Sequence, residues 1–301
     1  MGDGSRPVAE KIYVKCNACG SDAADAEPLP PFELNRRGKK IHAPWFWCRV
    51  CGSCFCPIDS TEHDDVAHHR TREHGRLTRF ERYREVNRPM YRHVCSGMAK
   101  RGISGANVLD VGASFGGFLE EARAAGFNPT AIDINPDCVE YLVSQGFRAF
   151  QASSLVRAPV SKSSLDAITM LDVSYYFRDQ KAEFESARDL LKPRGWLVLR
   201  TTNKLWAVWI AAILSKVSTR HAQALFARAV VDHLFVQSAN SLRRVLEDCG
   251  YLEIDVEPDK TRIFQDVRWD AKAAYVAGVA LSKIAQRTLL VPGVIAWARC
   301  P

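Results

Sequence analysis

Asn107-Val-Leu-Asp-Val-Gly-Ala-Ser-Phe-Gly-Gly-Phe-Leu119 is the stretch that decides the fold. Val108, Leu109 and Val111 form a short aliphatic run with the composition of a strand buried on both faces. Gly112, Gly116 and Gly117 follow at once, and Phe118 to Ala125 reads as a helix ended by Gly126. Strand, glycine turn and helix open a nucleotide-binding α/β unit. The glycines let backbone approach a ligand, and the first helical turn offers free N–H groups. Roughly twenty residues further on, Pro129-Thr-Ala-Ile-Asp133 reads as a second strand ending in a carboxylate, where an acid accepts hydrogen bonds from ribose hydroxyls.

The glycine spacing is Gly112-x-Ser114-x-Gly116, and Leu119 stands where a dinucleotide site would have its third glycine. Asp110, two residues before the turn, is unwelcome beside a pyrophosphate but suits a cation, so a sulfonium nucleoside fits better than NAD. The stretch resembles motif I (D-x-G-x-G/S-x-G) of the class I S-adenosylmethionine (SAM)-dependent methyltransferases, and Asp133 resembles their motif II acid. Ser164-Leu-Asp-Ala-Ile-Thr-Met-Leu-Asp-Val173 resembles their fourth strand, and Leu190-Leu-Lys-Pro-Arg-Gly195 their turn into the fifth, Trp196–Thr201. His233-Leu-Phe-Val-Gln-Ser-Ala-Asn-Ser241 is similar to a segment of the small-molecule members. The resemblance implies an α/β, Rossmann-like seven-stranded sheet with its last strand antiparallel.

It also implies a site. SAM would lie over Gly112, Ser114 and Gly116, with Asp110 near its amino-acid end, Asp133 on the ribose and Ile134 beside the adenine. Many relatives offer Asp or Asn to the adenine amino group just past the third strand, Phe147–Gln151; here Ala152-Ser153 stands there, so Ser153, backbone or nothing makes that contact. Asp172 ends the fourth strand, at the edge where ligands bind. Tyr175 and Tyr176 replace the family's Glu-His, which places the acceptor near Asp172 and the two tyrosines. His233 is the candidate base, although a single histidine is more often buried or capping. Residues 204–231, rich in Trp206, Trp209, Ile210 and Ile213, exceed what the fold needs and are expected to form a substrate lid. Their apolar content suits a greasy substrate, a dimer contact, a membrane surface or simple core burial.

Cys16-x-x-Cys19-Gly20 and Cys48-x-x-Cys51-Gly52, each preceded by a strand-like run, have the spacing of a zinc ribbon. Four thiolates fill a tetrahedron, so a structural Zn2+ is expected, with Cys54 or Cys56 as competing ligands. Glu27-Pro-Leu-Pro-Pro31 and Arg36-Arg-Gly-Lys-Lys40 are expected to form a loop at the ribbon's tip.

The chain has 301 residues, 47% of them hydrophobic, enough for one α/β core and a small accessory unit. The net charge of +7 is concentrated between Arg70 and Arg101, where ten Lys/Arg face three Glu. Residues 77–98 have the period of an amphipathic helix, or two broken near Pro89, with an arginine-rich outer face. A solvated helix face is preferred there to a nucleic-acid surface. His63, His68, His69 and His74 repeat no ligand spacing and read as a polar linker. Ten cysteines, no secretory leader and no run near the roughly 18 apolar residues of a bilayer span point to a cytoplasmic protein without a transmembrane segment. Peripheral membrane contact stays open, as does the oligomeric state. The expected organisation is a zinc ribbon over 1–60, a basic helical cap over 61–100 and a methyltransferase domain over 101–301. The expected function is methyl transfer from SAM to a small-molecule acceptor: a sugar, a natural product or a lipid-like compound. The alternatives are a zinc-ribbon RNA methyltransferase and a non-catalytic SAM-fold binding protein.

Overall fold

The computed structural model describes residues 15–57 (except 23, 24, 33, 37, 38, 42 and 43), 77–261 (except 104, 231 and 232), 273, 276–280 and 290–301. The strand expected before Cys16 and the histidine-rich stretch with His63, His68, His69 and His74 lie outside them. The N-terminal module has five short strands: β1 (Ala26–Pro28), β2 (Leu34–Arg36), β3 (Lys39–Ile41), β4 (Phe46–Cys48) and β5 (Cys54–Phe55). β1, β2 and β3 each reach into the stretches where a loop was expected. Pro28 is tolerated in β1 because, among the described residues, β1 is an edge strand paired only with β4. β2 and β3 pair antiparallel, with Asn35 opposite Lys40.

α1 (Leu77–Lys100) is one helix and is not broken at Pro89. The carbonyl that Pro89 deprives of a donor belongs to Glu85, an exposed residue, while Met90, Tyr91, Val94 and Met98 bury the opposite face. Its arginines are largely spoken for. Arg84 pairs with Glu120 at 3.0 Å, Arg88 and Arg92 with Glu121 at 3.0 and 2.9 Å, and Arg101, just beyond the helix, with Asp255 at 3.2 Å. Part of the basic excess is thus turned toward acids of neighbouring elements.

The α/β body follows: β6 (Asn107–Val111), α2 (Gly117–Ala124), β7 (Asn128–Asp133), α3 (Pro136–Ser144), β8 (Arg148–Gln151), β9 (Leu165–Leu171), α4 (Gln180–Leu190) and β10 (Leu191–Thr202). Asn135 caps α3, its side chain accepting from the Asp137 N–H at 3.0 Å, with Pro136 in the first turn. Asp179 caps α4 by accepting from the Ala182 N–H at 2.9 Å. After β10 come α5 (Leu205–Leu214), α6 (Thr219–Val230), β11 (Phe235–Val236), α7 (Ala239–Asp248, capped by Ser238), β12 (Leu252–Pro258) and β13 (Gly293–Arg299). Between β12 and β13, residues 276–280 are helical. The sheet order is β12-β13-β10-β9-β6-β7-β8, with β13 antiparallel to both neighbours and the other neighbouring pairs parallel.

The ribbon is joined to this body through a strand. β11 extends the β1-β4-β5 sheet, with Phe235 opposite Phe55 and Val236 opposite Cys54. α5 and α6 also pack on the ribbon: Phe226 stacks on Phe32 with centroids 4.0 Å apart and meets Trp45 edge-on at 5.4 Å. Aromatic burial of this kind holds the insertion against the N-terminal module.

Candidate active site and metal centre

A cavity of about 380 Å³ opens at the carboxyl edge of the parallel strands. Asp110 from β6, the Gly112–Ser114 turn and Asp133 from β7 line one part, with Asp172, Tyr175 and Tyr176 beyond β9 lining another. Tyr83 and Tyr91 of α1 contribute to the wall. Gly112 adopts φ 71°, and a Cβ there would lie 2.7 Å from Val173 Cγ2, so only glycine fits. Gly116 is not on the wall. Its φ of 82° starts α2 and a Cβ would strike Leu142 at 2.6 Å, so this glycine, expected beneath the cofactor, serves local packing.

Asp133 accepts hydrogen bonds from the Ser114 N–H at 2.7 Å and the Asn135 N–H at 2.8 Å. Burial raises its pKa, and these backbone donors oppose the rise. Asp110 accepts from Thr169 Oγ1 at 2.6 Å; burial pushes its carboxyl up to about 7, against the Thr169 hydrogen bond and helped by the Asp133 charge. Two buried carboxylates on one hollow favour a cationic occupant.

Ile134 and Ser153 line the cavity as well. Glu183 of α4 joins them, its carboxylate accepting from the Leu155 N–H at 2.8 Å. The sequence reading passed over Glu183; Asp179, which caps α4, was the signal that could have found it.

Asp172 has φ 63° and is ion-paired with the buried Arg200 of β10. Arg200 Nε also donates to Asp259 Oδ2 at 2.9 Å, and Asp259 accepts from Thr261 through N–H and Oγ1. Burial alone would raise the Asp259 carboxyl, yet Arg200 and Thr261 hold it below the usual carboxylate range. Sequence reasoning missed this clamp: Arg200 and Asp259 are far apart in the chain. Tyr175 and Tyr176 lie ring to ring at 4.7 Å, and burial pushes the Tyr175 hydroxyl pKa well up.

His233 is placed differently from the expected base. It is buried, lies off the cavity wall and stacks behind Tyr175 with centroids 3.9 Å apart. The expected lid is also displaced: among the described residues none of 204–231 lines the cavity.

The Sγ atoms of Cys16, Cys19, Cys48 and Cys51 all lie within 4.8 Å of one another. Cys16 and Cys51 are 3.8 Å apart and Cys19 and Cys48 3.6 Å. A tetrahedral zinc with bonds of about 2.3 Å sets its sulfurs about 3.8 Å apart, so the donor set fits Zn2+. Gly20 and Gly52 take the positive φ (73° and 76°) that each knuckle needs. Cys54 and Cys56 belong to another cluster, buried with Trp45 and Val208, and do not compete. The first knuckle grips the catalytic body. Asn17 donates to the Arg178 carbonyl at 2.9 Å and accepts from the Gln180 N–H at 2.8 Å.

The profile of a family described as "Methyltransferase domain" matches residues 80–254. A ubiquinone biosynthesis O-methyltransferase of Xanthomonas campestris pv. campestris is 34% identical over 125 residues, 38% of this chain and 51% of that protein. Its counterpart in Xylella fastidiosa is 32% identical over 119 residues, 37% of this chain and 48% of that one. The chain spans about half the length of the curated relatives it matches. Among solved structures, a SAM-dependent methyltransferase of Thermotoga maritima aligns with a TM-score of 0.50 at 13% identity, over 78% of this chain and all of the other. Sheet order and a profile match over more than half the length agree: the chain belongs to the methyltransferase-domain family.

Proposed function

We propose that the protein methylates a small-molecule acceptor held between Asp172, Tyr175 and Tyr176. The observation that carries this reading is that one cavity joins the Asp110–Asp133 carboxylates to the tyrosine-lined end. SAM, when bound, supplies an activated methyl group and a good leaving group. Asp133, with the Ser114 backbone, would hold the ribose. Asp110 would face the cationic end, and Ile134, Ser153 and Glu183 the adenine. Alignment and exclusion of water are then the protein's main work. Asp172, fixed by Arg200, offers an acceptor atom toward a hydroxyl, and the tyrosines offer an aromatic wall.

The similarity to proteins named ubiquinone biosynthesis O-methyltransferases supports oxygen as the methylated atom and an aromatic acceptor. The pairing of the α1 arginines with Glu120 and Glu121 speaks against an RNA surface. Zn2+ on Cys16, Cys19, Cys48 and Cys51 would be structural, since four thiolates leave no open position. In the proposed organisation the ribbon occupies 1–60, α1 caps the site within 61–100 and the catalytic domain spans 101–301, with 204–231 bracing the ribbon.

Calorimetry on the zinc-loaded protein tests the cofactor site. SAM should bind at one site per chain, Asp133→Ala should abolish binding and Glu183→Ala should weaken it. Methyl transfer from labelled SAM to a panel of phenols, with RNA as the competing acceptor, tests the acceptor class. Absence of SAM binding by folded protein would sink the reading.

A further inference from the structure

α5 is apolar on both faces. Leu205, Ala207, Val208 and Ala211 are buried in the cluster that holds Phe32, Trp45 and Phe226. Trp206, Trp209, Ile210 and Ile213 face outward, and Val217 continues the stripe beyond the helix; Trp209, Ile213 and Val217 are 59, 52 and 86% exposed. A surface helix ordinarily presents polar residues to water. The other large exposed apolar residues, such as Val50, Val143 and Val156, are scattered along the chain, whereas these five recur at helical spacing in one short segment.

The charge around the stripe selects its partner. From Asn203 to Val231 there is no Asp or Glu, while Lys204, Lys216, Arg220 and Arg228 are present, the last three exposed. A second copy docking symmetrically on this face would bring cations against cations. An anionic lipid surface would pair with them, and tryptophan is favoured at the boundary between headgroups and acyl chains. No helix among the described residues is long and apolar enough to cross a membrane, so the contact would lie in the plane of the interface.

We propose that the outer face of α5, through Trp206, Trp209 and Ile213, docks on an anionic membrane surface, with Lys216 and Arg220 contacting lipid phosphates. This surface is independent of the catalytic cavity, which none of these residues lines.

The test uses the full chain, zinc-loaded, with phosphatidylcholine vesicles made with and without phosphatidylglycerol. The protein should sediment with the anionic vesicles, its tryptophan emission should shift to the blue, and brominated acyl chains should quench it. Trp209→Ser with Ile213→Ser should weaken binding about ten-fold or more, since each buried apolar side chain contributes about that factor. Lys216→Glu with Arg220→Glu should remove the preference for phosphatidylglycerol. Both variants change exposed positions, and an unaltered melting temperature and SAM affinity would show that they fold. Absence of sedimentation with anionic vesicles would overturn the proposal, as would binding indifferent to Trp209→Ser with Ile213→Ser. A concentration-dependent dimer in light scattering, broken by the same variant without any vesicle binding, would assign the face to a second copy and equally overturn it.

Discussion

The imidazole of His233 stacks on the phenol ring of Tyr175, with centroids 3.9 Å apart and planes inclined by 29°. Tyr175 lies on the cavity wall and His233 does not, and we propose that the histidine positions the tyrosine. His233→Asn should raise KM for the acceptor several-fold and leave SAM affinity unchanged. The acidic limb of the kcat profile against pH should persist in the variant. Its disappearance would restore His233 as the proton acceptor.

Asp110 carries a cost in the empty protein. Its folded-state pKa of about 7 exceeds the unfolded carboxylate value, so the folded state holds an extra proton and loses stability as pH rises toward 7. Asp110→Asn keeps an acceptor for Thr169 and removes the charge. At pH 8 it should stabilise the unliganded protein by up to about 4 kcal/mol in denaturant titrations, a difference that shrinks toward pH 4. The same change should cost most of the SAM affinity. In the wild type, affinity should rise between pH 6 and 8 as Asp110 ionises. A pH-independent affinity would separate Asp110 from the cofactor.

Arg200 bridges Asp172 and Asp259, and Gly293 leaves room for it: a Cβ there would lie 2.9 Å from the guanidinium. Arg200→Met would leave two buried carboxylates without their cation and should destabilise the fold by about 3–5 kcal/mol. The Asp259 carboxyl is held below its usual range, so its share of stability is present at neutral pH and lost as pH falls through the folded pKa. The gap between wild type and variant in chemical denaturation should therefore close on strong acidification. A gap constant with pH would remove electrostatics as its cause.

Metal analysis should find one zinc per chain. Cys16→Ser and Cys48→Ser should lose it, and Cys54→Ser and Cys56→Ser should keep it. Chelation should lower the melting temperature and impair acceptor turnover more than SAM binding, because Asn17 ties its knuckle to Arg178 and Gln180, next to the Tyr175–Phe177 wall. Unchanged acceptor KM in the chelated protein would uncouple the two.

The parts written in local sequence were the legible ones. The glycine turn at 112 beside Asp110, the strand end at Asp133 and each cysteine knuckle rest on residues a few positions apart, and the structure brings the two carboxylates to one cavity and the four thiols together. What sequence did not show depends on distant partners. Phe226 is apolar for the sake of Phe32 and Trp45, nearly two hundred residues earlier, which turned an expected lid into a brace. A two-residue strand such as β11 has too little period to announce itself. Gly116 was read as ligand-facing because a glycine motif does not say which glycine serves the ligand and which the neighbouring helix.

Because Phe235 and Val236 complete a sheet that starts at Ala26, two segments about two hundred residues apart are stitched together. A shortened version starting at Leu77 would expose a raw strand margin and the oily undersides of Phe226 and Phe235, an invitation to clump. Grafting the enzyme half of this molecule onto another scaffold therefore calls for carrying its cysteine-rich beginning along.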